Sequence, residues 1–273
     1  MHDAPIGIFD SGIGGLTVAR AIHGLLPQES TIYFGDTARV PYGPKSPETV
    51  RRYSREILAW LVAQGVKAVV VACNTATAHA LDELRRISPV PVIGVIEPGA
   101  RAAARDSTAG TVGVIGTAGT IASGAYRKAL LAERPALRVL EQACPLLVPF
   151  VEEGWLSHAA TRLVVEEYLA PLRAASVDTL VLGCTHYPLL KPLLADVMGP
   201  AVQLIDSAEE TARELATTLR RTGLSAHPGT KPPRQRWVAT DDVGRFARVG
   251  AVFMGEAPVA VELVTLEAEP AVS

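Results

Sequence analysis

The sequence predicts an α/β protein built from two similar, doubly wound domains with mainly parallel sheets. Short apolar runs, often rich in Val, alternate with longer runs whose apolar residues recur every three or four positions. This alternation is typical of buried parallel strands joined by covering helices. The pattern restarts near Pro98, which indicates a second unit.

The individual elements follow from these two periodicities and from the turn residues between them. Nine strands are predicted, at residues 6–10, 31–35, 68–72, 90–95, 111–115, 138–142, 179–182, 203–206 and near 236–240. Helices are predicted between them, at residues 16–26, 47–64, 75–87, 123–132, 159–174, 207–222 and near 242–249. The Pro- and Gly-rich residues 36–47 are expected to form a loop, and residues 225–233 a polar linker.

These elements group into a first domain of residues 1–97 with 208–255 and a second of residues 98–207, followed by a tail of residues 256–273. Two local echoes suggest an internal repeat. The segment ending in Ala72-Cys73-Asn74-Thr75 resembles the one ending in Gly183-Cys184-Thr185-His186, and residues 8–11 resemble residues 204–207. Two related halves would place the two cysteines on opposite walls of an interdomain cleft.

The composition excludes several classes of protein. The chain has 273 residues, 48% of them hydrophobic, and a formal net charge of −2, which does not suggest an electrostatic nucleic-acid binder. We expect no signal peptide and no membrane span, and hence a cytoplasmic protein without a membrane partner. The odd number of cysteines argues against a disulfide framework, and the usual metal-ligand spacings are absent, so no metal is expected.

Cys73 and Cys184 both follow predicted strands, at the edge where parallel α/β sheets bind ligands. We expect each to precede a helix N-terminus, whose N–H groups lower a thiol pKa and attract carboxylates. A lone free cysteine is more often a small buried hydrophobe, and we interpret Cys144 in this way. The matched settings of Cys73 and Cys184 favour a chemical role.

Two thiols that face each other across a cleft suit the inversion of a stereocentre. One thiolate removes a proton from one face of a carbon atom, and the other thiol returns a proton to the opposite face. Each acid–base group of this kind contributes roughly 10²–10⁴-fold to the rate. The carbanion-like state between the two transfers must also be stabilised.

Other polar residues near the strand ends have two interpretations. Asp10 could cap the following helix or act at the site. Thr117 and Thr120 could bind a ligand or cap a helix, and His186 could be a hydrogen-bonded support or an acid–base partner of Cys184. The glycines after Asp10 do not form a dinucleotide fingerprint, because Thr17 stands where the third glycine is required.

At these residues the sequence resembles the glutamate racemase family over residues 6 to about 255. The matching segments are Gly7-Ile8-Phe9-Asp10-Ser11-Gly12-Ile13-Gly14-Gly15-Leu16-Thr17-Val18, Tyr33-Phe34-Gly35-Asp36-Thr37-Ala38, Pro41-Tyr42-Gly43, Ala72-Cys73-Asn74-Thr75-Ala76, Cys144-Pro145 with Val151-Glu152-Glu153-Gly154, and Gly183-Cys184-Thr185-His186-Tyr187-Pro188-Leu189-Leu190. Thr77 departs from the serine that is more frequent in relatives, and no role is transferred to it.

The resemblance implies two α/β domains with the active site between them, no cofactor, and D-glutamate made for peptidoglycan. It implies that Cys73 and Cys184 are the proton carriers, Cys73 being assisted by Asp10 and Cys184 by Glu152 with His186. A homodimer is also implied. The residues expected to bind glutamate are Asp10, Ser11, Pro41, Tyr42, Gly43, Asn74, Thr75, Thr117, Thr120, Thr185 and His186.

Three other functions fit parts of the pattern. A racemase of aspartate or hydantoins would share the cysteines, although Thr185-His186-Tyr187-Pro188 resembles the glutamate branch. A non-catalytic amino-acid-binding regulator could share the scaffold. A cysteine hydrolase using Cys184 and His186 is disfavoured, because we expect such close neighbours not to face each other.

Overall fold

The computed structural model describes residues 2–226, 232–255 and 260–266. Its strands are β1 Ile6–Asp10, β2 Thr31–Gly35, β3 Ala68–Val71, β4 Val92–Gly94, β5 Thr111–Gly116, β6 Arg138–Ala143, β7 Thr179–Gly183, β8 Gln203–Asp206, β9 Gln235–Ala239 and β10 Val261–Leu263. Its helices are α1 Leu16–Leu25, α2 Pro47–Ala63, α3 Asn74–Ile87, α4 Ile96–Asp106, α5 Ala118–Ala122, α6 Ala125–Glu133, α7 Leu147–Glu152, α8 Ala159–Ala174, α9 Lys191–Met198, α10 Ser207–Arg221 and α11 Val243–Met254. Two 3-10 turns complete this part of the chain, at Thr37–Arg39 and Tyr187–Leu190.

Within the described residues the strands form two wholly parallel sheets, so the predicted α/β class is confirmed. One sheet has the order β10-β9-β2-β1-β3-β4 and the other has the order β6-β5-β7-β8. The central strands β1, β3 and β7 are completely buried. Continuous apolar runs were the correct signal for them, because helices cover both faces of each sheet.

Local sequence explains most of the helix boundaries. Ser46 caps α2, and Pro47 occupies its first turn. The helix predicted at 123–132 is α6, and the short helix α5, which was not predicted, precedes it; Gly124, in the left-handed conformation at φ 64°, separates the two. The polar linker predicted at 225–233 lies partly outside the described residues.

The tail predicted at residues 256–273 requires a correction. Val261–Leu263 forms a parallel edge strand that pairs with β9, with Val261 opposite Trp237. A run of three residues is too short to show a clear periodicity, which is why the pattern did not reveal this strand. Residues 267–273 lie outside the described residues.

Four strands of the larger sheet, in the order β2-β1-β3-β4, correspond to the four strands of the smaller one, β6-β5-β7-β8. β1 lies between β2 and β3, as β5 lies between β6 and β7, and β4 and β8 then follow at equivalent edges. Cys73 and Cys184 therefore follow equivalent strands. The second echo is wrong, because residues 204–206 belong to β8, whereas β1 corresponds to β5.

The chain passes between the sheets through α4 and α10, which pack against each other. At their crossing, a Cβ added to Gly99 would lie 3.1 Å from the Cβ of Ser207. In the described part of the chain, no helix is long and apolar enough to cross a membrane.

Candidate active site

Cys73 lies between β3 and α3, as the sequence predicted. It is buried, and its Sγ accepts a hydrogen bond from the backbone N–H of Ala76 at 3.4 Å, so it caps α3. Burial, and then the nearby Asp10 carboxylate, raise the pKa of this thiol to about 12, although hydrogen bonds from Ser11 oppose the shift. Cys73 therefore holds its proton near neutral pH and is suited to donate it.

Asp10 ends β1 and is buried beside Cys73. Its Oδ2 accepts a hydrogen bond from the backbone N–H of Gly12 at 2.9 Å. Burial raises the pKa of this carboxyl, and His186 and the Gly12 N–H only partly offset that effect. The interpretation of Asp10 as a helix cap is wrong, because Gly15 occupies that position of α1.

Cys184 follows β7 and is also buried. The helix expected there begins as a 3-10 turn, Tyr187–Leu190, which leads directly into α9. His186 lies with its Nδ1 3.8 Å from the Cys184 Sγ. The expectation that these near neighbours would not face each other is therefore wrong, because the turn at the strand end folds the ring back towards the sulfur.

His186 is held on its other side by Glu152, the last residue of α7. The His186 Nε2 lies 3.0 Å from the Glu152 Oε1. Burial opposes the charged ring, but the contacts with Cys184 and Glu152 outweigh it and raise the pKa of His186 to about 10. Burial also opposes the charged form of Glu152, yet His186 and Arg245 together lower its pKa. The pair is an imidazolium next to a carboxylate.

Contacts between the two halves bring the cysteines to one region. A Cβ added to Gly14 would lie 2.3 Å from the Thr185 Oγ1 and 2.4 Å from the His186 Nδ1. The Thr17 hydroxyl donates to the Thr185 carbonyl at 3.2 Å. The loop after β1 thus lies directly against the Cys184 loop, and glycine at position 14 allows this approach.

Three threonine hydroxyls meet between the two sheets. The Thr75 Oγ1 lies 2.9 Å from the Thr117 Oγ1 and 3.2 Å from the Thr120 Oγ1. Thr117 also caps α5 by accepting from the Thr120 N–H. Both interpretations of these residues are therefore compatible with the structure, since capping leaves the three hydroxyls clustered together.

The loop Pro41-Tyr42-Gly43 reaches the same hydroxyl cluster. The Gly119 N–H donates to the Gly43 carbonyl at 2.9 Å. Tyr42 is buried and donates to Asp36, whose carboxylate also accepts from Arg39 and Thr240. Asp36 was not among the predicted site residues. The sequence did contain an indication of it, because Asp36 directly follows strand β2, much as Asp10 ends strand β1.

Asn74 and Thr185 are buried where the sequence placed them, and Ser11 is half-buried. The Asn74 Oδ1 accepts a hydrogen bond from Tyr126 at 2.7 Å, a partner that the sequence did not indicate. Among the described residues, no group hydrogen-bonds the Asn74 Nδ2 or the Asp10 Oδ1, although both atoms are buried. Buried polar atoms without partners require an explanation, and ligand recognition is one.

Two buried thiols, each with a charged assistant, can perform proton transfer at carbon from two sides. In the described ranges, no cluster of three His, Cys, Asp or Glu side chains could hold a metal ion.

Comparison with known proteins gives a consistent result. Residues 16–215 match the Asp/Glu/Hydantoin racemase family. A glutamate racemase from Geobacter metallireducens is 54% identical over 97% of both chains. The structure of a glutamate racemase isoform from Bacillus anthracis has a TM-score of 0.94 at 43% identity, covering 98% of this chain and 100% of that one. A Francisella tularensis glutamate racemase in complex with D-glutamate has a TM-score of 0.92 at 37% identity, over 98% and 100% of the two chains.

Identity of this extent over nearly the whole chain, together with the two thiols at equivalent strand ends, establishes that the chain belongs to the Asp/Glu/Hydantoin racemase family and to its glutamate racemases.

Proposed function

We propose that this protein interconverts L- and D-glutamate without a cofactor and supplies D-glutamate for peptidoglycan. The observation that carries the proposal is the pair of buried thiols, Cys73 and Cys184, at equivalent strand ends. The names of the relatives support glutamate as the substrate.

In the proposed mechanism one sulfur, as thiolate, takes the α-proton, and the electrons of the C–H bond remain on the α-carbon. The other sulfur, as thiol, then gives its proton to the opposite face of that carbon. The charged His186 ring stabilises negative charge on the Cys184 sulfur, and Asp10 keeps Cys73 protonated. The roles exchange when the reaction runs in the other direction.

Substrate binding is proposed for the residues around the two thiols. The buried, unpaired Asp10 Oδ1 is complementary to an ammonium group, and the Asn74 Nδ2 and the threonine hydroxyls are complementary to carboxylates. The proposed set comprises Asp10, Ser11, Pro41, Tyr42, Gly43, Asn74, Thr75, Thr117, Thr120, Thr185 and His186.

The first experiment is incubation of the pure protein with L-glutamate in deuterium oxide without added cofactor. Optical rotation that decays to zero, with deuterium entering the α-position, is the expected result. L-Aspartate run in parallel fixes the substrate. If neither amino acid loses optical rotation or takes up deuterium, the enzyme proposal fails, and a regulatory amino-acid-binding role replaces it.

Three broader expectations belong to the same proposal. The chain is proposed to act as two domains, residues 1–97 with 208–255 and residues 98–207, with glutamate between them. It is also proposed to act in the cytoplasm as a homodimer. Light scattering on the purified protein tests the dimer, because a mass of one chain at working concentration would contradict it.

A further inference from the structure

Helix α11 contacts the histidine–carboxylate pair from the opposite sheet. It follows β9 of the six-stranded sheet, whereas Glu152, Cys184 and His186 belong to the part of the chain around the four-stranded sheet. The Arg245 Nη2 lies 3.0 Å from the Glu152 Oε2 and 3.6 Å from the Glu153 Oε1. The ring of Phe253, on the same helix, meets His186 edge-on with 5.4 Å between the ring centroids.

The two oxygens of Glu152 have separate partners. Oε1 lies 3.0 Å from the His186 Nε2, and Oε2 lies 3.0 Å from Arg245. Partners at both oxygens fix the plane of a carboxylate, because rotation about its last bond would break both contacts. Arg245 thus restrains the carboxylate that in turn restrains the His186 ring.

The charged surroundings of His186 come from several elements. Cys184 faces Nδ1 and Glu152 faces Nε2, while Asp10, at the end of β1, interacts with the ring electrostatically. Arg245 and Glu153 complete the group one contact further away. Arg245 is the cation that balances this cluster of acids on the side of α11.

We propose that Arg245 is a positioning residue for the Cys184 half of the reaction and acts through Glu152 and His186. The inference rests on the proposed function and deepens it. It also makes the Cys184 side dependent on the approach of the two sheets, since Arg245 and Glu152 are supplied from different sides of the cleft.

The test compares Arg245→Ala and Arg245→Lys with Arg248→Ala, an exposed arginine on the same helix. Loss of a half-exposed ion pair changes an equilibrium constant by up to about fivefold, and a misplaced catalytic group lowers a rate by roughly 100-fold. We therefore expect an intermediate effect for Arg245→Ala, a fall in kcat of about tenfold. KM should stay nearly constant, Arg245→Lys should recover part of kcat, and Arg248→Ala should match the unmodified protein.

A second readout separates positioning from general damage. Since the two enantiomers have equal energy, kcat/KM must fall equally in both directions. The primary isotope effect with α-deuterated glutamate should nevertheless increase for one enantiomer only, the one deprotonated by Cys184. In a double-mutant cycle, Arg245→Ala should add little to Glu152→Gln. Equal isotope effects for both enantiomers, or independent effects in the cycle, would overturn the inference.

A third readout does not depend on glutamate. The NMR signals of the His186 ring should broaden or change position in Arg245→Ala, because the freed carboxylate no longer fixes the orientation of the ring, and should stay unchanged in Arg248→Ala. If the unmodified protein does not racemise glutamate, the proposed function fails and this NMR comparison alone decides the role of Arg245. Unchanged ring signals in Arg245→Ala would contradict it.

Discussion

At the scale of single residues, the two thiols have opposite electrostatic neighbours. Cys73 lies beside the Asp10 carboxylate, which disfavours a second negative charge. Cys184 lies 3.8 Å from the Nδ1 of His186, whose ring carries the positive charge of the site. The two thiols therefore stand in different electrostatic surroundings, one beside an acid and the other beside a cation.

Replacement of either reactive cysteine should remove racemisation. Cys73→Ala and Cys184→Ala are each expected to lower kcat by roughly 10²–10⁴-fold or more, because each face of the carbon needs its own proton carrier. Cys144→Ala is the matched control, since Cys144 is equally buried. Polarimetry measures the rate and circular dichroism checks the fold. Near-normal racemisation by either of the first two variants would exclude a two-base mechanism.

Stability should depend on pH through His186. Its pKa rises from 6.5 to about 10 on folding, so the charged ring contributes stability fully below pH 6.5, and this contribution is lost between pH 6.5 and about 10. The slope is at most about 1.4 kcal/mol per pH unit. Urea unfolding of the unmodified protein and of His186→Gln should give a difference in free energy of unfolding that narrows across this window. A constant difference would contradict the assignment.

The sequence indicated the chemistry of the site better than its supporting contacts. Cys73, Cys184 and Asp10 could be predicted because they stand at strand ends, where the chain itself marks the ligand edge. Arg245 could not, because it comes from a helix distant in the sequence and makes its contact only after folding. The short distance from His186 to Cys184 was missed for a different reason, which is that it depends on a 3-10 turn.

At the scale of elements, the loop after β1 determines how closely the two halves approach. Gly14 faces Thr185 and His186, and Gly15 packs against Asp10, where an added Cβ would lie 2.6 Å from the Asp10 Cβ. These glycines therefore serve close packing of backbone against side chains. A dinucleotide loop would need a third glycine, which lets its helix pack closely against the strand.

Gly14→Ala should impair racemisation strongly. Its Cβ would overlap the Thr185 hydroxyl and the His186 ring, so the ring must move away from Cys184. Gly24→Ala in α1 is the control, because nothing lies within 4 Å of the added atom. That change should leave kcat intact and stabilise the helix by about 0.5–1 kcal/mol. Steady-state kinetics and thermal unfolding test both, and equal activity of the two variants would contradict the packing argument.

Strands were predicted more reliably than short helices. Apolar runs flanked by turn residues gave β1 and β2 with their observed ends, because burial on both faces leaves an unbroken apolar signal. Helix α4 was not predicted, since Pro98 and Gly99 in its first turn resemble a loop. Short helices such as α7 carry too few turns for a periodicity to appear.

At the scale of the whole molecule, the equivalence of the two sheets explains why one reaction can use both mirror-image substrates. Each sheet supplies one sulfur from its third strand, β3 or β7. The residues proposed to assist them are not equivalent, because Asp10 ends β1 whereas His186 comes after β7, the strand that Cys184 itself follows. The two halves thus share a backbone framework, but the charged side chains beside their two sulfurs differ.

Chelators should not affect activity. In the proposed mechanism the two thiols carry out both proton transfers, and no metal-holding cluster lies within residues 2–226, 232–255 and 260–266. Dialysis against EDTA, followed by the polarimetric assay, is expected to return the original rate. Loss of activity that a single metal restores would contradict this expectation.

The crossing of α4 and α10 has a mechanical consequence. Both passages between the sheets run side by side, with Gly99 against Ser207. A side chain larger than glycine at this crossing, as in Gly99→Val, would press α4 away from Ser207. We expect such a wedge to change how the two sheets face each other, and therefore to alter the site although it lies outside it.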